Sequence, residues 1–472
     1  MRYLPLTEQE RARILKLCNV SSFEELTRDI PDELRLRGLL DFEPALSEPE
    51  LRQHLHALAS KNAGARMTCH LGQGVYDHTW PVAVDQLTNR GEFFTAYTPY
   101  QPELSQGTLQ TIFEFQSMVA DLYGQEVANA SLYDGATAVV EAALMAARLQ
   151  NIFASQGGAT QQAGGVLLVS EGTYDRVRDV LRTYLEPLNI AVETWWADGK
   201  SFLGTSEPRS IPDLKGRPVV GAVLQSPNKW GLVEDWNELT KLAGSLKTKS
   251  IGYVAHPHSL AVFQSPGEAG VDIVAGEGQP LGLPMGFGGP HLGLFACKMQ
   301  DVRQMPGRLV GATEDVHGSR AFCITLSTRE QHIRREKATS NICSNQNLMA
   351  LRTSMYLTLM GPKGLKQVAE TSRSAAHHAR ELLKDTLAGK YPEIKVLDGE
   401  LFNEVCILVP PKHSLWQMEV EALAHKTGIL PGCRVSVPGS SGFVAGFVAA
   451  FTEKHTLHDI ERLVKVLCEE EV

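Results

Sequence analysis

A doubly wound α/β domain, with a helical arm before it and a smaller α+β domain after it, is the fold the sequence predicts. Three observations predict it. Through the middle of the chain, short apolar runs alternate with amphipathic segments: GVLLVS, TYDRVRDVLRTYL, IAVETWW, PVVGAVLQS, ELTKLAGSLK, IGYVAH and VDIVAGE, in that order. Unbroken apolar runs fit strands buried on both faces, and the amphipathic segments between them fit the crossover helices that parallel strands need. Residues 1–65 show helix starts, and the tail mixes strand patterns near Ile394, Val405 and Phe443 with helical ones near Met418 and Leu457. The expected division is an arm at 1–65, a large domain at 66–330, and a connecting helix with a small domain at 331–472.

In the arm, Thr7, Ser21 with Ser22, and Ser47 each precede acidic first turns, as N-caps do. From Gly64 to Pro102 the pattern breaks into Gly, Pro, Thr and aromatic residues, ending in FFTAYTPYQPE. Prolines set two residues from tyrosines force extended or turn geometry, so a structured loop is expected there. SQGTLQTIFEFQSMVADLYG has apolar residues at helical spacing and stops at Gly124. After it, Asp134 and Gly135 lead into an Ala-rich helix reaching Gln150. Long helices are expected from about Gln331 through Met360 and from Lys366 to about Ala388.

The chain has 472 residues, a formal net charge of -9 and no long Lys/Arg run, which argues against nucleic acid or an anionic membrane as the main partner. Its eight cysteines are scattered without a CxxC pair, which suits reduced thiols in a cytoplasmic protein. Charges interrupt the first residues where an export signal needs an apolar stretch, and no apolar run is long enough to span a bilayer.

Few segments point to chemistry. The turn Asp134, Gly135, Ala136, Thr137 opens a helix, so its free amides suit either an anion or an ordinary cap. GVDIVAGEGQPLGLPMGFGGPHLG (Gly270 to Gly293) has a glycine density that permits close approach of a ligand, another chain, or simply a tight corner. STREQHIRREKATSNICSNQ gathers Arg329, His332, Arg334, Arg335 and Lys337, then Thr339, Ser340 and Asn341. That cluster reads as a solvated or interface face, or as an anion contact, and Arg308 in MPGRLVG is a similar case. There is no HExxH or paired His/Cys spacing, so no metal site is expected and His256 and His258 read as loop residues. No GxSxG elbow, Walker loop or complete GxGxxG occurs, and Lys426 reads as a surface lysine.

GVYDHTWP, FFTAYTPYQPELSQGTLQ, ANASLYDGATA, GEGQPLGLPMGFGGPHLG, MPGRLVGATED and STREQHIRREKATSNICSNQ occur in one order across the α/β part. On these stretches the chain resembles the glycine decarboxylase P-proteins, and specifically the N-terminal subunit of the split bacterial type. The resemblance implies the aspartate-aminotransferase-like fold, fold type I of the pyridoxal-phosphate enzymes. In that fold a lysine after the strand VDIVAG holds the cofactor as an imine. Here no lysine or arginine lies between Lys249 and Lys298, and Gln279 or Pro280 stands nearest the expected place. An amide cannot form an imine. His256 stands where an acid usually faces the pyridine nitrogen.

The resemblance implies that a lysine-bearing second subunit holds pyridoxal 5'-phosphate, with two copies of each chain. It further implies that the complex decarboxylates glycine and passes the aminomethyl group to the lipoyl arm of the H-protein. It places Thr95, Tyr97 and Tyr100 beside the glycine pocket at the subunit junction, where they would either bind substrate or pack the interface. Glu277 and Gln279 would cap the vestigial site, face the lipoyl path, or serve as hydrogen-bonding structure. A self-sufficient pyridoxal-phosphate enzyme using Lys298 or Lys337, and a non-catalytic regulatory protein, are the alternatives.

Overall fold

The computed structural model describes residues 6–36, 38, 40–152, 164–195, 211–342, 345–410, 420–437 and 445–468. The chain forms two compact units, Met1–Ala63 and Gly64–Val472. In the first, helices α1 (Glu8–Leu17) and α2 (Glu48–Ala59) both begin in capping boxes, Thr7 with Glu10 and Ser47 with Glu50. Each box satisfies backbone donors that the first helical turn leaves open.

In the second unit a seven-stranded sheet forms from β1 (Val127–Ala128), β2 (Gly165–Ser170), β3 (Ile190–Trp195), β4 (Val219–Gln225), β5 (Lys249–Val254), β6 (Ile273–Glu277) and β7 (Gly293–Cys297). Their order across the sheet is β1-β7-β6-β5-β4-β2-β3. Strands β2 to β6 are parallel where they pair, while β7 runs antiparallel to both β6 and β1. The glycine-rich loop explains the reversal, since it returns the chain beside β6, pairing Glu277 with Gly293, without a crossover helix.

Period-two alternation divides each strand between two cores. Leu167, Val169, Val223 and Ile251 face α4 (Gly135–Leu149) and α5 (Asp175–Leu185). Val166, Leu168, Ala222 and Leu224 face the core built by α3 (Gln106–Tyr123) and α6 (Trp236–Leu246). Helix α3 stops at Gly124, whose φ of +65° and bond from its amide to Ala120 make the left-handed cap that glycine adopts without a side-chain clash.

Two sequence expectations need correction. The helix expected from Gln331 is only one turn, Gln331–Arg334. Thr, Ser and Asn then bond locally instead of extending it, and the long helix α7 begins at Asn347 and runs to Lys390, bent at Gly361. The hairpin β8 (Leu309–Glu314) and β9 (Arg320–Thr325) was not anticipated, because only Val310 and Phe322 of its residues join the small core beneath it, with Ile324 partly buried there. The C-terminal part is a four-stranded antiparallel sheet, β10 (Lys395–Val396), β11 (Glu404–Val409), β12 (Cys433–Ser436) and β13 (Ala445–Ala450), in the order β10-β11-β13-β12. The second half of α7 and helix α9 (Leu457–Cys468) cover it through Ala379, Leu383, Leu387, Leu463 and Leu467. Helix α8 (Val420–Thr427) lies nearby in sequence; Met418 and Phe443, the expected centres of a helix and a strand, lie outside the described residues. Among the described residues no helix is long and apolar enough to cross a membrane, and seven cysteines are unpaired, Cys343 lying outside them.

Candidate functional site

Parallel α/β sheets gather ligands at the carboxyl ends of their strands. There, Asp134 caps α4 by accepting a bond from the Thr137 amide at 2.8 Å. The amide of Gly135, which an anion would otherwise engage, donates to Glu277 Oε2 at 3.0 Å. Glu277 Oε1 accepts from the amides of Gln279 (2.9 Å) and Leu292 (3.4 Å), and His291 Nδ1 lies 3.2 Å from Oε2. The bond to Glu277 holds the His291 imidazole above its usual range despite burial. Thus a carboxylate of this chain sits on the helix N-terminus and uses the positive end of its dipole. Glycine is required at 135, since a Cβ would lie 2.9 Å from that of Glu277. Asp134→Ala is expected to cost about 1 kcal/mol by loss of the cap, measured as a small drop in denaturant midpoint.

Gln279 is 1% exposed and its amide is saturated: Oε1 accepts from the Tyr76 amide at 2.9 Å, and Nε2 donates to the carbonyls of Tyr76 (3.0 Å) and Leu283 (2.8 Å). Tyr76 is buried beside it, with its hydroxyl 3.0 Å from that of Tyr174 and its ring centroid 4.2 Å from that of His256. Burial pushes both phenols up and the His256 imidazole well below its usual range.

Glu404, on β11, is buried near this group and accepts from the Gln73 amide at 2.8 Å. Burial pushes its carboxyl up to about 7. A folded-state value raised above the unfolded one means stability that is present below the ordinary carboxylate range and lost as pH rises through about 7. Glu404→Gln keeps the acceptor and removes the titration. It should therefore gain on the parent between pH 5 and 8, by up to about 3 kcal/mol, read from paired denaturation curves.

A cavity of about 170 Å³ opens between the aromatic loop and the β8–β9 hairpin, lined by Tyr97, Thr98, Arg308 and Asn345 among others. Arg308 organises it. Its Nη1 donates to Thr98 Oγ1 and its Nη2 to the Tyr100 hydroxyl, both at 2.9 Å, and Nε donates to Glu330 Oε2 at 3.2 Å. The Tyr100 ring lies 5.2 Å from the guanidinium and 6.0 Å from the ring of His332, which stands 3.5 Å from Glu330. Of the three nominated loop residues, Tyr97 and Tyr100 come here. Thr95 does not: its hydroxyl bonds the Gly91 carbonyl at 2.6 Å at the end of a one-turn helix. Thr98 and Glu330 were missed, as nothing in local spacing pairs Thr98 with an arginine 210 residues away.

The basic segment separates into different jobs. Arg329 is buried on the carbonyls of Met305, Gly307 and Leu326, holding the turn that presents Arg308. Ser340 donates to buried Glu141 at 2.8 Å, the Thr339 amide bonds the Arg329 carbonyl at 3.0 Å, and Asn341 is exposed. Lys298 bonds Asp272 at 2.8 Å at the opposite end of β6 from Gln279, and Lys337 and Lys426 are exposed. His256 and His258 do follow β5 in a turn, but both are buried against His78.

This sheet order, with one antiparallel strand and a helix N-terminus beside it, defines the fold type I class of pyridoxal-phosphate enzymes. At the strand ends of this chain Gln279 offers no amine, Glu277 bonds the amide at the helix N-terminus, and Tyr76 packs beside His256. The family described as "Glycine cleavage system P-protein" matches residues 1–467. A "Probable glycine dehydrogenase (decarboxylating) subunit 1" of Geobacillus thermodenitrificans is 41% identical over 99% of this chain and 98% of its own length. Another, from Desulforamulus reducens, is 45% identical over 81% and 82%. A crystal structure of glycine decarboxylase (P-protein) in inhibitor-bound form superposes with a TM-score of 0.82 at 39% identity, covering 99% of both chains. Lactobacillus brevis glutamate decarboxylase shares the fold, with a TM-score of 0.63 at 12% identity over 92% of this chain and 95% of its own. The chain belongs to the glycine cleavage system P-protein family.

Proposed function

We propose that this chain is the non-covalent subunit of a glycine dehydrogenase (decarboxylating) that works only with a lysine-bearing partner subunit, two copies of each forming the enzyme. The observation that supports it is the chemistry where the Schiff-base lysine is expected: neither Gln279 nor Pro280 has a primary amine, and the Gln279 amide is spent on backbone. Pyridoxal 5'-phosphate, which supplies the electron sink for decarboxylation, is then held by the partner.

This chain contributes the wall facing the glycine pocket. Tyr97 and Tyr100 lie on an exposed loop, as residues meant for a partner surface do. Arg308, its charge paired with Glu330, fixes the Tyr100 hydroxyl and Thr98 around a cavity sized for a small carboxylate. The aminomethyl acceptor is the lipoyl group of an H-protein. In this reading the turn at Asp134 to Thr137 and Glu277 are relics of a cofactor site, used for folding.

Reconstitution tests the proposal. Glycine–bicarbonate carboxyl exchange should require this chain, the lysine-bearing chain and lipoylated H-protein together. Borohydride reduction of the complex with cofactor, followed by peptide mapping, should label the partner alone. Exchange by this chain by itself, or a labelled lysine within it, refutes the assignment.

A further inference from the structure

Three imidazoles from distant segments meet in the core of the Gly64–Val472 unit. His78 comes from the loop before the large domain's first helix, and His256 and His258 from the turn after β5. None is more than 4% exposed, and one ring nitrogen of each lies within 4.8 Å of the others. We propose that His78, His256 and His258 form a site for a divalent first-row transition ion, with zinc as its reference occupant and a solvent molecule completing the tetrahedron.

The distances suit such an ion. Zinc–nitrogen bonds of about 2.0–2.1 Å at tetrahedral angles put ligand nitrogens roughly 3.3 Å apart and ring centroids roughly 5 Å apart. Here His78 Nε2 and His256 Nε2 are 3.0 Å apart, and the three centroid separations are 5.0, 4.7 and 5.4 Å. The third nitrogen lies within 4.8 Å of the other two. Three neutral nitrogens favour zinc, cobalt or nickel over calcium or magnesium, which take oxygen.

The surroundings orient the rings as supports of a metal site do. His78 Nδ1 lies 2.6 Å from Glu453 Oε2, and in the tautomer with its proton on Nδ1 the ring donates to that carboxylate and presents the Nε2 lone pair to the ion. Glu453 also supplies a negative charge to offset the cation. Tyr356 stands 2.9 Å from His258 Nε2 and fixes that ring, leaving Nδ1 without a hydrogen-bond partner. A buried nitrogen left without a partner is destabilising, a cost that metal coordination at His258 removes. Because Tyr76 packs against His256 and Glu453 follows β13, the ion would tie the loop that carries His78, the strand ends and the small C-terminal sheet together. The sequence expectation of no metal site rested on local spacing, whereas His78 and His256 are 178 residues apart.

The test is metal content and spectroscopy on the full chain, without activity. The chain stripped by a chelator should take up roughly one equivalent of Co2+, show the intense visible bands of a tetrahedral ion, exchange it for Zn2+, and melt at a higher temperature when loaded. His256→Phe and His258→Leu should abolish the bands while circular dichroism stays native; His377→Ala with His378→Ala should leave them intact. Failure of the parent chain to retain an ion through gel filtration overturns the site, as do bands that survive both core variants. If a core variant fails to fold, the stoichiometry and spectrum of the parent still decide. A His78–His256 hydrogen bond alone predicts no cobalt spectrum.

Discussion

Arg308→Ala is expected to destabilise the chain by about 3–5 kcal/mol and to lower exchange activity in the reconstituted complex by roughly a hundredfold. The guanidinium and the Glu330 carboxylate are both under 10% exposed, so removing one partner leaves the other charge buried and unpaired. The same change releases the Thr98 and Tyr100 hydroxyls, and with them the loop that lines the cavity. Arg308→Lys keeps the charge but not the fork that reaches three acceptors, so it should restore much of the stability and little of the activity. Denaturant midpoints and exchange rates measured on both variants check this. Full activity in Arg308→Ala would remove the cavity from the proposed function.

Restoring an amine at the loop after β6 is expected to produce a weaker protein and no cofactor binding. Gln279→Lys offers three donors and no acceptor, so the Tyr76 amide loses its partner inside the core and a cation is placed where no carboxylate bonds the present side chain. The expected loss is about 3 kcal/mol. With Glu277 on the helix N-terminus and Tyr76 packed against His256, the new lysine has no cradle to present a phosphorylated aldehyde. The variant should stay colourless with pyridoxal phosphate and unlabelled after borohydride. A stable yellow adduct at position 279 would mean that only the amine had been missing.

The legible parts of the fold are those in which neighbours along the chain act together. GVLLVS and VDIVAGE announce buried strands because their residues are apolar or small apart from Asp272 and Glu277, and Thr7, Ser47, Asp134 and Gly124 mark helix ends through bonds within one turn. The hairpin at Leu309–Thr325 escaped because its strands expose much of their surface, and the start of α7 was set too early because a charged segment resembles a helix until its backbone bonds are known. Thr95 looked as suited to the pocket as Thr98, since composition does not say which hydroxyl turns back on its own helix.

By itself the sequence determined five of the sheet's seven strands, the family motifs and the want of an amine near residue 279, because each is a property of consecutive residues. Only the tertiary structure decided that Glu277 occupies the helix N-terminus, that Arg308 joins Thr98, Tyr100 and Glu330, and that His78 meets His256 and His258. Those arrangements join residues as much as 210 positions apart. Contacts of that kind depend on how crossovers return the chain, and no local pattern encodes them.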